Sequence, residues 1–283
     1  MDQIAVIGPS WMTNVAYAHA PLRLDTTINI DYVRNYTGGV HTVAHDAAAL
    51  GGHVSLVTRL SGDDVGRRMQ QELDALGVIT YLRDGGPRTP TEFVVTDGQH
   101  FQRLTDLRYD SYLNAAGDIP MIALEGSDCC IAQMLNSPLL AKAVSYCPQA
   151  LWVALRAIPD DDVLPLIDTV ALSYHDVTRS VAPDDFGRLA TELLGKGLRH
   201  LLISDRGMGA WLYDIYGGRY LQVPGQADRI YYLGSLEVMV SAMAVGASRH
   251  MPYLDALQVG LSLVGQSRLS PSLLPDNLHW PEE

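Results

Sequence analysis

Short apolar runs alternate with helical patterns along most of this chain, and that alternation is the strongest constraint on what it can fold into. Ile4-Ala-Val-Ile7 ends in Gly8-Pro9, His41 to Leu50 is an alanine-rich helical stretch closed by Gly51-Gly52, Val54-Ser-Leu-Val57 is a second apolar run, and Val65 to Leu76 is amphipathic and stopped by Gly77. Apolar runs this short, with no alternating polar face, suit strands covered by helices on both sides. From about residue 118 the pattern resumes, with strand candidates at Cys129 to Ala132, Ala150 to Leu155, Thr169 to Leu172 and Leu201 to Ser204, and a clear helix from Asp184 to Lys196. Leu236 to Ala247 and Tyr253 to Val264 read as two long helices. A strand–helix–strand series of this kind demands a mostly parallel sheet.

Two segments break the alternation. Trp11 to Tyr36 has no helical period and carries β-prone pieces such as Thr26 to Ile30. Glu92 to Thr96 and His100 to Leu104 flank Asp97-Gly98, a pair that suits a type I′ hairpin turn. Together they predict a small β lid from about residues 11–37 and 88–106, inserted in a single domain spanning 1–283. A further hairpin is expected from Trp211 to Val223 around Gly217-Gly218, and no internal repeat or long linker is visible.

Composition limits the functional classes. With 47% hydrophobic and 18% charged residues the chain reads as an ordinary folded globular protein. The net charge of −12, with Lys142 and Lys196 the only lysines, excludes a broad nucleic-acid surface. A cleft can still hold an anion with backbone N–H groups and a few arginines. Cys129, Cys130 and Cys147 form no metal or disulfide pattern and read as buried thiols of a cytoplasmic protein. The first strand-like run begins at Ile4 and no apolar stretch reaches membrane-spanning length, so neither a signal peptide nor a membrane span is expected.

The common local motifs are absent. Neither the P-loop pattern nor a Gly-x-Gly-x-x-Gly fingerprint occurs, and Ser10 and Ser204 lack a nucleophile-elbow context. His41 and His45 have the spacing of a metal pair with Asp46 adjacent, but without a third ligand they are expected to be core or pocket histidines. Asp160-Asp-Asp162 reads as a helix cap with solvated charge.

Four blocks, in order, carry a resemblance. The first is Gly38-Gly39 with the helix to Leu50-Gly51, continuing through Val54-Ser-Leu-Val-Thr-Arg-Leu-Ser-Gly-Asp-Asp-Val-Gly66 to Leu73-Asp-Ala-Leu-Gly-Val78. The second is Ser173-Tyr-His-Asp176, the third Ile203-Ser-Asp-Arg-Gly-Met-Gly209, and the fourth Gly234-Ser-Leu-Glu237 opening a small-residue helix. In this order and over essentially the whole chain they resemble the ribokinase-like, or PfkB, carbohydrate kinase family. The resemblance implies a ribokinase-like three-layer α/β/α sandwich with a mostly parallel central sheet and the small β lid, which in the family often pairs with a second subunit's lid to give a homodimer.

The activity implied is ATP-dependent phosphorylation of a hydroxyl of a sugar, nucleoside or similar small molecule, with ATP and Mg²⁺ as cofactors. Gly234, Ser235 and Leu236 take the place of the family's anion-binding turn and Glu237 that of its catalytic aspartate, while Leu236 in place of glycine narrows the approach and would resist φ > 0. On the substrate side Trp11, Thr13, Gly38, Gly39 and Thr42 are implied, with Thr13 and Thr42 where the family has a carboxylate and an amide, which points away from simple hexoses. On the nucleotide side the resemblance implies Ser173, Asp176, Ser204, Arg206, Gly207 and Gly209, with Asp176 as the oxygen ligand toward Mg²⁺. Arg206 either contacts phosphate or fills the space phosphate would take. Departures at base, anion turn, Mg²⁺ motif and sugar clamp together leave an alternative, a catalytically impaired kinase-like protein that binds a small molecule or a protein partner.

Overall fold

The computed structural model describes residues 3–23, 27–97, 100–106, 112–225 and 234–267. Strands β1 (Gln3–Ile7), β4 (His53–Leu60), β5 (Ile79–Asp84), β8 (Cys129–Gln133), β9 (Leu151–Leu155), β10 (Thr169–Ser173), β11 (His200–Asp205), β12 (Gly209–Asp214) and β13 (Gly217–Gln222) form one nine-stranded sheet in the order β13-β12-β11-β10-β9-β8-β1-β4-β5. All pairings are parallel except those of the β11-β12-β13 edge. The alternation predicted from sequence is therefore present.

Side-chain parity along the buried strands builds the two cores. Ile4, Val6, Ile131, Val153 and Leu155 face helices α1 (Val40–Ala49), α6 (Ser235–Ser248) and α7 (Tyr253–Ser267), while Ala5, Ile7, Ala132, Trp152 and Ala154 face α3 (Ser137–Tyr146), α4 (Tyr174–Thr178) and α5 (Phe186–Gly195). Each strand is apolar on both faces because a helical layer covers each. Helix α2 (Asp64–Ala75) is capped by Asp63, whose side chain accepts from the Gly66 N–H.

A second sheet, ordered β3-β2-β6-β7, is made by β2 (Ser10–Ala18), β3 (Ile30–Gly39), β6 (Thr91–Thr96) and β7 (Phe101–Thr105). It occupies the two segments read as a lid. The β6 and β7 strands pair antiparallel as expected, but Gly98 of the anticipated turn and Thr26 of the Thr26 to Ile30 run lie outside the described residues. Gly8-Pro9 leads from β1 into β2, and β3 runs into α1 through Gly38-Gly39, so the small sheet is tied to the carboxyl ends of the large one. Gly39 needs its glycine: it has φ 69°, and a Cβ there would lie 2.2 Å from the Pro9 carbonyl.

The structure explains the histidine pair without a metal ligand set. His41 is buried, and its Nε2 bonds the Met69 carbonyl of α2 at 2.9 Å. His45 Nδ1 lies 3.2 Å from the carboxylate of Asp46, which is itself buried. Burial pushes the pKa of His41 down to about 4. Above pH ~6.5 the ring is neutral in both states and titration adds nothing, whereas between about 6.5 and 4 only the unfolded chain takes up the proton. Stability is therefore expected to fall with pH across that window by up to about 1.4 kcal/mol per unit from this residue alone. Urea midpoints compared at about pH 7 and pH 5 should drop less for His41→Gln than for the wild type; equal slopes would assign the acid sensitivity elsewhere.

Candidate active site

Three of the four described non-glycine residues with positive φ follow the carboxyl ends of β8, β9 and β11: Met134 (φ 54°), Arg156 (φ 60°) and Arg206 (φ 44°). A side chain in this conformation costs about 1–3 kcal/mol, and such strain concentrates at functional sites. The carboxyl edge of a parallel sheet is where ligands bind. Helix α6 begins at the same edge. Its N-cap is Gly234, left-handed at φ 87° and without a side-chain cap among the described residues, and the N–H groups of a first turn are donors suited to an anion.

Arg156 organises the site. The side chain is only 15% exposed and lies between two carboxylates. Its Nε and Nη2 reach Glu237 Oε1 at 2.9 and 2.8 Å, and Nη1 donates to Asp176 Oδ2 at 3.2 Å and Oδ1 at 3.4 Å. Burial opposes its charge, but the carboxylates of Glu237 and then Asp176 more than offset this and raise its pKa. Glu237 Oε2 is buried and accepts no hydrogen bond among the described residues.

Two clefts meet here. The first, about 540 Å³ with the solvent at its mouth, is lined by Ser173, His175, Asp176, Arg179, Ser204 and Arg206 together with Phe101 of the lid. The second, about 440 Å³ on the same measure, is lined by Trp11, Thr13, Gly38, Gly39, Thr42 and Glu92. Arg103, Arg156, Gly234 and Glu237 belong to the walls of both. The first cleft is cationic: burial, then Arg206 and Arg103, push the His175 pKa down.

On the first side, Ser173 and Asp176 form a capping box for α4, with Ser173 N–H donating to Asp176 Oδ2 at 2.9 Å and Asp176 N–H to Ser173 Oγ at 3.2 Å. Ser204 lies beside Ser173 through the β10–β11 register. Arg206 is half exposed along the wall, its guanidinium 4.3 Å from the Tyr174 ring centroid and its Nε 3.2 Å from Asp205. Gly207 and Gly209 shape the turn but are not among the residues lining either cleft; the ring of Tyr220 fills the space beside Gly209.

The anticipated Mg²⁺ does not fit Asp176. Both its oxygens face Arg156 and one also accepts the Ser173 N–H, so the oxygens a metal would use are already engaged. Among the described residues no group of three or more His, Cys, Asp or Glu could hold a metal.

On the second side the indole of Trp11 is 7% exposed and packs on the glycine pair, where a Cβ at Gly38 would lie 2.2 Å from Trp11 Nε1. Trp11 Nε1 donates to Thr13 Oγ1 at 3.1 Å, Thr13 donates to Glu92 Oε2 at 3.2 Å, and Arg103 Nε stands 3.1 Å from Glu92 Oε1. A carboxylate beside position 13 thus comes from β6. Thr42 spends its hydroxyl on the Thr37 carbonyl at 2.7 Å.

Leu236 also departs from expectation. Its side chain is 1% exposed and joins the core under α6, and its φ is not positive, because Gly234 takes the left-handed turn. Leu236 also lines the first cleft beside Gly234 and Ser235. Arg156 and Glu92 were missed in the sequence. Arg156 follows a buried strand run, a position that the carboxyl-end rule marks; Glu92 carries no local signal, since only the β2–β6 register sets it opposite Thr13.

Breaking a buried ion pair from one side costs about 3–5 kcal/mol. Arg156→Ala strands both Glu237 and Asp176 and is expected to lose stability on that scale, whereas Glu237→Gln leaves Arg156 with Asp176 and should lose less. Urea denaturation of the two variants measures the order; equal, near-zero losses would show that the cluster is not held together in solution.

A family model described as pfkB family carbohydrate kinase matches residues 1–263. No curated relative matches the sequence. Among solved structures, ribokinase from Thermotoga maritima superposes with a TM-score of 0.75 at 15% identity, covering 96% of this chain and 95% of that one. Ribokinase of Arabidopsis thaliana complexed with ribose and ATP gives 0.73 at 12% identity, with 96% and 95% covered. An E. coli protein assigned as ribokinase II, in complex with ATP and Mg²⁺, gives 0.74 at 14% identity, with 99% and 97% covered.

Proposed function

The chain belongs to the pfkB family of carbohydrate kinases, and on that premise we propose that it transfers the γ-phosphoryl group of ATP to a hydroxyl of a sugar, nucleoside or similar small molecule. The observation that carries this reading is the position of Glu237 on the wall common to two clefts, at the start of α6. Phosphoryl transfer needs that arrangement: a donor site and an acceptor site meeting at a base and at N–H groups that stabilise equatorial phosphoryl oxygens.

In this reading ATP lies along Ser173, Ser204 and Arg206, over the turn containing Gly207 and Gly209, with its γ-phosphate at the backbone of Gly234, Ser235 and Leu236. The acceptor lies against Trp11, Thr13 and Thr42 beside Gly38-Gly39, with Glu92 and Arg103 as polar partners. Glu237 takes the acceptor's proton through Oε2, the oxygen left without a partner. The freed alkoxide attacks the γ-phosphorus, the bond to the β–γ bridging oxygen breaks, ADP leaves, and the proton passes from Glu237 to solvent. A positioned base contributes about 10²–10⁴-fold.

ADP release across a panel of sugars and nucleosides tests the reading. Glu237→Gln, folded by circular dichroism, is expected to lose about 10²–10⁴-fold in kcat on whichever acceptor responds; unchanged turnover would remove Glu237 from the base role, and no turnover with any acceptor would favour a kinase-like binding protein.

A homodimer through the lid is part of the same proposal. Phe93 (54% exposed) and Leu104 (58%) are cross-strand neighbours on the outer face of the small sheet, with Val33 exposed on the same face. Exposed apolar area of this kind is typical of subunit contacts. Phe93→Asp should shift the sedimentation coefficient of the wild-type dimer to that of a monomer; a monomeric wild type would refute the lid pairing. Three buried free thiols support a cytoplasmic setting, and among the described residues no helix is long and apolar enough to cross a membrane.

A further inference from the structure

A divalent cation expected at the junction of the two clefts would neutralise carboxylates there and face the phosphates of a nucleotide. The cation present is a side chain. Arg156 spends three of a guanidinium's five N–H groups on Glu237 and Asp176, leaving two for another ligand in a wall shared by both clefts. The arrangement is held at a cost, because φ 60° strains a non-glycine residue by about 1–3 kcal/mol and a buried ion pair is a poor source of stability.

The surroundings also select an anion. In a chain of net charge −12, four arginines line the first cleft: Arg103, paired with Glu92, Arg156, paired with Glu237 and Asp176, Arg206, paired with Asp205, and Arg179, which makes no ion pair among the described residues. The N–H groups of the α6 first turn, which no side chain caps among the described residues, open onto the same space. Guanidinium is permanently charged and matches phosphate oxygens in a bidentate fork, which a metal-free carboxylate pair could not do.

We propose that Arg156 is a phosphate-binding residue that takes the place of the divalent cation in this cleft, so that polyphosphate binds without a Mg²⁺ ion held by the protein. The identity of the polyphosphate, ATP, rests on the kinase reading; the fixed cation does not. Asp176 and Glu237 are then the carboxylates that aim Arg156, and Arg179 and Arg206 carry the charge that the single guanidinium leaves uncompensated.

The test is calorimetric titration of ATP into the wild-type protein at constant ionic strength, once with excess Mg²⁺ and once with EDTA. The dissociation constants are expected to agree within about threefold, since 1.4 kcal/mol would already be tenfold. In EDTA, Arg156→Gln should bind at least about tenfold more weakly, and Arg156→Lys, which keeps the charge but not the fork, should fall between the two. Arg179→Ala, at an exposed position, should weaken binding in EDTA even if the Arg156 variants do not fold. Wild-type affinity that collapses tenfold or more in EDTA would overturn the proposal while leaving a Mg²⁺-dependent kinase intact. Equal or tighter binding by folded Arg156→Gln would overturn it by showing that the arginine obstructs the cleft, and absence of ATP binding in both buffers would overturn it together with the kinase reading. Magnesium-independent ATP binding with no acceptor phosphorylated would instead sustain it and sink the kinase reading alone.

Discussion

One buried guanidinium joins the parts of this molecule that have to meet. Arg156 leaves the end of β9, Asp176 comes from the short helix after β10, and Glu237 from the first turn of α6, so three connections converge on a single charge. The low-dielectric surroundings make that convergence demanding: each carboxylate needs the cation, and the cation needs both. The rest of the site is arranged around it. The start of α6 and the arginines of the first cleft lie on one side, and the lid's polar chain lies on the other.

The lid reaches the junction through Arg103. Its guanidinium holds Glu92, which accepts from Thr13, which in turn accepts from Trp11 packed on the glycine pair at the start of α1. Phe101, next along β7, meets His175 edge-on at 4.7 Å on the far side of the first cleft. A displacement of the small sheet would therefore be felt at both clefts. This is the physical basis for reading the sheet as a cover of the site rather than an appendage, and it explains why its inner face is polar near the junction and apolar around Val15, Tyr17 and Val94.

Two of the four departures that suggested a weakened active site, those at the anion turn and the Mg²⁺ motif, have different physical outcomes. Leu236 is buried in the core under α6 while also lining the first cleft, and the left-handed turn falls on Gly234 instead. The substitution at Asp176 is deeper. A capping box and a buried arginine have absorbed the carboxylate, and the charge that would have faced a metal ion is internal.

What the sequence determined by itself was whatever depends on local periodicity and order. The buried strands, the helices closed at Gly51 and Gly77, the lid segments and the placement of Gly234 and Glu237 at the start of a long helix were all legible, since hydrophobic spacing and glycine positions constrain the chain over a few residues at a time. Only the tertiary structure decided which charges face one another. Arg156 is 81 residues from Glu237 and 20 from Asp176, and Thr13 is 79 from Glu92, so no local pattern encodes either contact. Each exists because parallel-sheet topology brings strand ends that are distant in the chain to one edge, where burial forces unlike charges into register.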